Sequence, residues 1–126
     1  MTDSTAAHFP GRAPIDAYGN GGFRFADMSH RGSILCLPDG VFAWDAILAD
    51  ELKPAHLSRV ITTLSPPGFL LLGTGLSQVF PPSAIVAQFA EAGLGLEAMS
   101  TGAACRTYNV LLAEGRPVAA ALIAVA

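Results

Sequence analysis

From Pro54 onward the chain alternates, three times over, a segment of helical period with a short apolar run, and the connections are short enough to keep successive elements adjacent. Leu57, Val60, Ile61 and Leu64 recur at i, i+3, i+4 and i+7 before Pro66 and Pro67 stop the segment. Phe69, Leu70, Leu71 and Leu72 follow as an unbroken apolar run, the pattern of a strand covered on both faces, and Gly73, Thr74 and Gly75 end it. Pro81, Pro82 and Ser83 open a second helix with Ile85, Val86 and Phe89 directed inward and Gly93 as its left-handed cap. Leu94–Met99 then predicts a strand, Ser100–Gly102 a turn, Ala103–Glu114 a helix stopped by Gly115, and Pro117–Val125 a last apolar strand. Such alternation predicts an α/β fold: a mixed, largely parallel central sheet with helices on both faces and right-handed crossovers.

The first third has a different texture. Ile34–Leu37 and Val41–Trp44 are apolar runs joined by Pro38, Asp39 and Gly40, which predicts an N-terminal β-hairpin preceding the α/β part. Gly19, Asn20, Gly21 and Gly22 predict a turn, followed by a short strand over Phe23–Phe25. Residues 1–14, small, polar and punctuated by Pro and Gly, read as a flexible N-terminal arm, so that 15–126 form a single domain.

Charged residues make up only 13% of the 126, against 52% apolar. About 25% charged is usual for a soluble domain, so part of the exposed surface is expected to be apolar, which favours a protein partner or a homo-oligomer. A net charge of −3 without a Lys/Arg cluster excludes the basic footprint of a nucleic-acid binder. The longest apolar run, Val118–Ala126, is less than half of the roughly 20 residues a membrane-spanning helix needs. Two cysteines in unlike contexts suggest neither a disulfide framework nor a metal site, no cofactor is indicated, and the first dozen residues resemble no secretory or transit signal. A cytoplasmic protein is the expectation.

In a sheet of this kind ligands bind beyond the carboxyl ends of the strands, where helices begin and backbone N–H groups point outward. Two loops answer that description: Gly73, Thr74 and Gly75 after one strand, and Ser100, Thr101 and Gly102 after the next, with Ser100 or Thr101 placed to cap a helix and Arg106 one turn on. If their strands are neighbours, the loops face one another and a small anion can sit between them. The glycines have a plainer reading as turn formers, and Arg106 as a solvated arginine or the partner of Asp27 or Glu97. Cys105 likewise has two readings: a thiolate acidified by the helix dipole and Arg106, or a small buried hydrophobe beside Ala104. Ala104, Tyr108 and Leu111 share the face that packs on the sheet. His8, His30 and His56 are not placed by sequence beside Cys105, so no catalytic base is evident. Cys36, inside an apolar strand, reads as core. Trp44 is either core or, with Tyr18 and Phe80, part of an exposed patch.

The stretches LLLGTG at 70–75, FPP at 80–82 and, above all, MSTGAACRTYNVLLAEGRPVAAALI at 99–123 resemble the small-domain family that includes mitochondrial NADH:ubiquinone oxidoreductase assembly factor 3, the adipogenesis-associated domain protein and many bacterial members. The resemblance runs from about Ile15 to the C-terminus. It implies a compact β/α domain with a mixed sheet, no catalytic residues to carry over, and, from the mitochondrial member, help in assembling a membrane-bound respiratory complex by binding partner proteins. The chain departs from that member in having no targeting presequence, which fits a bacterial cytoplasmic protein. Two functions are therefore in play: a non-catalytic protein-binding or assembly module, or a small-anion or nucleotide-type ligand domain, or minor enzyme, using the corner between 73–75 and 100–106.

Overall fold

A computed structural model describes residues 8–126. Its centre is a five-stranded sheet built from β4 (Ser33–Leu37), β5 (Gly40–Trp44), β6 (Phe69–Gly73), β7 (Gly95–Met99) and β8 (Val118–Leu122), in the order β5-β4-β8-β6-β7. The helices are α1 (Ser58–Thr63), α2 (Ser83–Ala92) and α3 (Thr101–Ala113).

The topology explains which helix covers which face. The chain passes from β6 through α2 to β7 in one direction across the sheet, then from β7 through α3 back over β6 to β8. Two right-handed crossovers run in opposite directions put their helices on opposite faces. Accordingly α1 and α2 pack one face, where Val60, Ile85 and Phe89 meet Leu70, Leu72, Ala119 and Ala121. On the other face Ala104, Cys105 and Tyr108 of α3 meet Leu71, Ala120 and Leu122. Leu70, Leu71 and Leu72 are each at most 1% exposed, as their unbroken run predicts.

The expected parallel character needs correction. β6 pairs parallel with β7 and β8, but β4 pairs antiparallel with both β5 and β8. Half the pairings are antiparallel because the predicted hairpin does not precede the sheet; it completes it. Ile34 and Cys36 of β4 lie opposite Leu122 and Ala120 of β8, and all four side chains enter the same core as α3. Running the hairpin in the other sense would break that match of faces.

The segment before the hairpin forms a second, antiparallel sheet of β1 (Ala17–Gly19), β2 (Gly22–Phe25) and β3 (Met28–Arg31), of which only Phe23–Phe25 was expected. Phe23 and Phe25 bury against the α3 side of the central sheet. Of the expected arm, residues 1–7 lie outside the described residues. His8 and Phe9 donate backbone hydrogen bonds to Val41 O at 2.7 and 3.4 Å, Val41 N–H donates to Phe9 O at 2.9 Å, and Ala13 is buried. This bridge covers the β5 edge at Val41, where the backbone groups would otherwise be unpaired.

Smaller departures have local causes. The helix expected from Pro54 begins as a 3-10 turn, Pro54–Leu57, and becomes α-helical only at Ser58. Val86, expected inward, is 51% exposed, because α2 turns the Ile85 and Phe89 stripe to the core instead.

Every residue of β8 is buried, and its centre is three alanines, Ala119, Ala120 and Ala121, each fully buried. Small side chains there let α3 and the α1–α2 layer approach the sheet closely. Ala120→Leu therefore overpacks the α3 side and is expected to destabilise the fold by about 1–3 kcal/mol, read as a lowered thermal midpoint. An unchanged midpoint would mean that α3 does not pack closely on this strand.

Candidate functional site

Gly73 of β6 stands opposite Met99 of β7, so the loops that leave these strands do lie side by side. What fills the space between them is their own hydrogen bonding. Thr74 N–H donates to Met99 O at 2.8 Å, Thr101 N–H to Gly75 O at 2.8 Å, and Gly75 N–H to Thr101 Oγ1 at 3.0 Å. The Thr101 hydroxyl in turn donates to Ile123 O at 2.7 Å, and Ile123 N–H donates to Gly73 O at 3.0 Å. Thr74 Oγ1 lies 2.6 Å from Ser77 O and 3.1 Å from Met99 O, and it accepts from Val79 N–H at 3.0 Å. Ser100 is the N-cap of α3, its hydroxyl accepting from Ala103 N–H at 3.3 Å.

The glycines follow from this closeness. A Cβ on Gly73 would stand 3.0 Å from both Leu122 Cδ2 and Thr101 Cα, and one on Gly102 would stand 2.9 Å from Tyr18 Cζ. Gly75 has φ +111°, a conformation that side chains rarely adopt. An anion at this corner would have to replace the hydrogen bonds of Thr74, Gly75 and Thr101, whose N–H groups are already engaged.

Arg106 is exposed on α3 and forms no ion pair with Asp27 or Glu97; the salt bridge among the described residues joins Arg116 and Glu114 at 3.7 Å. Cys105 is 3% exposed within the apolar cluster of α3 and the sheet. Burial pushes its thiol up to about 12, and the opposing pull of Arg106 does not offset this. The buried-hydrophobe reading is therefore favoured over the acidified thiolate, because desolvation outweighs the cation. Cys36, fully buried, is raised further still by the same cause. The histidines are occupied elsewhere. His56 Nδ1 accepts from Lys53 N–H at 2.9 Å, and the rings of His8 and His30 lie 4.7 Å apart, where burial and His8 hold His30 below the usual imidazole range. No group of three His, Cys, Asp or Glu suited to a metal occurs among the described residues.

The sequence reading missed a groove of about 440 Å³ between α2 and β7, lined by Phe80, Val86, Ala90, Leu94 and Leu96 among others. Phe80 is 86% exposed and Leu76 83%. β7 is the sheet's outer strand here. Because Gly95 N–H bonds to Gly68 O, and Met99 O accepts from Thr74 N–H, the backbone groups of Gly95, Glu97 and Met99 face β6 and those of Leu96 and Ala98 face outward. Ala98 O is met by the side-chain amide of Gln78 at 2.8 Å. The signal available in the sequence was Phe80 itself, an aromatic outside any helical or strand period.

A family profile matches residues 15–123, covering both sheets and all three helices. The chain belongs to this family, described as a protein of unknown function (DUF498/DUF598). Family relatives include an uncharacterised protein of Rhodobacter capsulatus, 37% identical over 91% of this chain and 87% of that one. They also include the NADH dehydrogenase [ubiquinone] 1 alpha subcomplex assembly factor 3 of Rattus norvegicus, 29% identical over 91% of this chain, which spans 62% of that protein's length. Among solved structures, one described as an outer membrane protein from Bartonella henselae superposes with a TM-score of 0.88 at 51% identity, over 94% of this chain and all of the other. The resemblance read from residues 70–75, 80–82 and 99–123 is thereby confirmed. No helix of the described residues is long and apolar enough to cross a membrane.

Thr101 is fully buried and its hydroxyl bridges the β6 loop to the end of β8. Thr101→Val leaves the Gly75 N–H and the Ile123 carbonyl without that partner and is expected to cost about 1–3 kcal/mol in denaturant unfolding; no loss would show that the bridge contributes nothing. For Cys105, folding keeps the thiol protonated, so its contribution to stability is complete below about pH 9 and falls as the pH rises toward 12. Native protein at pH 8 should resist iodoacetamide at this residue until denaturant is added, and rapid native labelling would contradict the burial.

Proposed function

We propose that this chain is a non-catalytic protein-binding module of the assembly-factor kind, which takes an extended segment of a partner protein on the groove between α2 and β7 and so assists the assembly of a membrane-bound respiratory complex. The observation that carries the reading is the pair of exposed apolar side chains Phe80 and Val86 lining a groove beside an outer strand whose Leu96 and Ala98 backbone faces outward. An added strand would pair with those groups and lower alternate side chains into the groove. The Gln78 amide on Ala98 O already occupies the place of one such donor. Few charges on the chain and the name of the assembly-factor relative point the same way. In this reading the protein works from the cytoplasm, and the outer-membrane wording belongs to the Bartonella relative.

The ligand-domain reading of Gly73, Thr74, Gly75, Ser100, Thr101, Gly102 and Arg106 is the weaker of the two, since the N–H groups of Thr74, Gly75 and Thr101 already have partners within the chain. Nor does a thiol at about pKa 12 favour chemistry at Cys105.

The test is affinity purification of the tagged chain from its native host, comparing the parent with Phe80→Asp and Val86→Asp. Both side chains are exposed, so the variants should fold. Respiratory-complex subunits are expected to co-purify with the parent, and each substitution to reduce their recovery on the order of tenfold or more, as loss of an aromatic or aliphatic anchor does. Absence of such subunits, or recovery indifferent to both substitutions, would refute the reading.

A further inference from the structure

A second surface lies on the opposite side of the molecule, over the small sheet. Directly opposed residues of an antiparallel pair share a face. The register opposes Gly22 to Arg31, Arg24 to Ser29, Ala17 to Arg24, and Gly19 to Gly22. Since Phe23 and Phe25 turn into the core, Arg24, Ser29 and Arg31 face solvent over a floor of glycine backbone at Gly19 and Gly22. A cleft of about 410 Å³ stands over that floor, with Ala17, Arg24, Ser29 and Arg31 in its lining.

The two arginines lie on neighbouring strands at diagonal positions, about 7–8 Å apart. Each reaches across to the other's strand side. Arg24 Nη1 donates to Ser29 Oγ at 2.9 Å, and Arg31 Nη1 lies 3.7 Å from where a Cβ of Gly21 would stand. Both arginines line the cleft, and a guanidinium fork is suited to holding an oxyanion. No carboxylate lines the cleft, and neither arginine makes an ion pair among the described residues. On a chain of net charge −3 with only seven Lys and Arg, two uncompensated arginines over bare backbone form a local positive field. The cleft exceeds what a lone inorganic anion fills and falls within the range of small-molecule sites.

We propose that this cleft binds a small organic dianion, a phosphate monoester or a dicarboxylate, with its oxyanion groups held by Arg24 and Arg31 and its body over the backbone of Gly19 and Gly22. The site requires neither the α2–β7 groove nor a protein partner, and its ligand approaches from the other face of the central sheet.

The experiment is a titration of ¹⁵N-labelled protein with phenyl phosphate and, separately, with succinate, against sodium chloride at matched ionic strength. Saturable shifts are expected at the amides of residues 19–24 and 31 and at the Nε groups of Arg24 and Arg31 with at least one of the two dianions; which one responds names the class. Arg24→Gln and Arg31→Gln should each weaken that binding on the order of tenfold or more, as loss of one bidentate guanidinium does. Lys53→Gln, an equal change of net charge outside the cleft, should leave it unchanged. Shifts that fail to saturate, an equal response to chloride, or an equal loss with Lys53→Gln would overturn the proposal.

Discussion

The structure depends on one strand that has almost no side chains. Among the described residues, β8 is the only strand with a parallel neighbour on one side and an antiparallel neighbour on the other, so it joins the hairpin to the β-α-β half of the domain. Both of its faces are covered, and its three central alanines set how near the layers come. Larger residues would hold α3 away from the sheet. Close approach is also what places the first turn of α3 against Gly73 and brings the Thr101 hydroxyl within reach of Ile123 O. The alanine strand and the hydrogen-bonded corner are therefore one construction.

That construction determines where function can reside. The carboxyl ends of β6 and β7 would be the conventional ligand position, but here the donors that such a position offers are paired across the two loops. A buried N–H that already has a good partner gains little by exchanging it for a ligand. Thr101 is the residue that decides this, because one hydroxyl accepts from the Gly75 loop and donates to the strand beyond. The surfaces that packing leaves incomplete, where we propose binding, are the outer edge of β7 and the outer face of the small sheet.

Much of the second half was legible because its signals are local. Unbroken apolar runs, a 3.6-residue period and capping residues at Ser100 and Gly93 suffice to place β6, α2, β7, α3 and β8, and short connections between them make β6 and β7 neighbours. Strand order was not legible, since the pairing of β4 with β8 joins residues some 90 positions apart and rests on which faces match. The small sheet escaped notice for a different reason. Its strands are three or four residues long, about half their positions face solvent, and Ala26 and Asp27 take positive φ without a glycine to announce it. At the corner the residue types were right and their state was not. Nothing in STGAACR distinguishes donors awaiting an anion from donors already bonded to the next loop, nor an acidified thiol from one that burial holds protonated.

The same topology bears on how the two proposed surfaces relate. Opposed crossovers put α2 on one face of the central sheet and the small sheet, with α3, on the other. An occupant of the α2–β7 groove therefore cannot collide with one held over Arg24 and Arg31, and any influence of one on the other must pass through the packed sheet. The interior between them is packed with aliphatic, aromatic and cysteine side chains from both faces of the sheet. Coupling between sites needs an element with two arrangements of similar energy, and a close-packed apolar array supplies none. The fold accordingly holds the two proposed surfaces independently of each other.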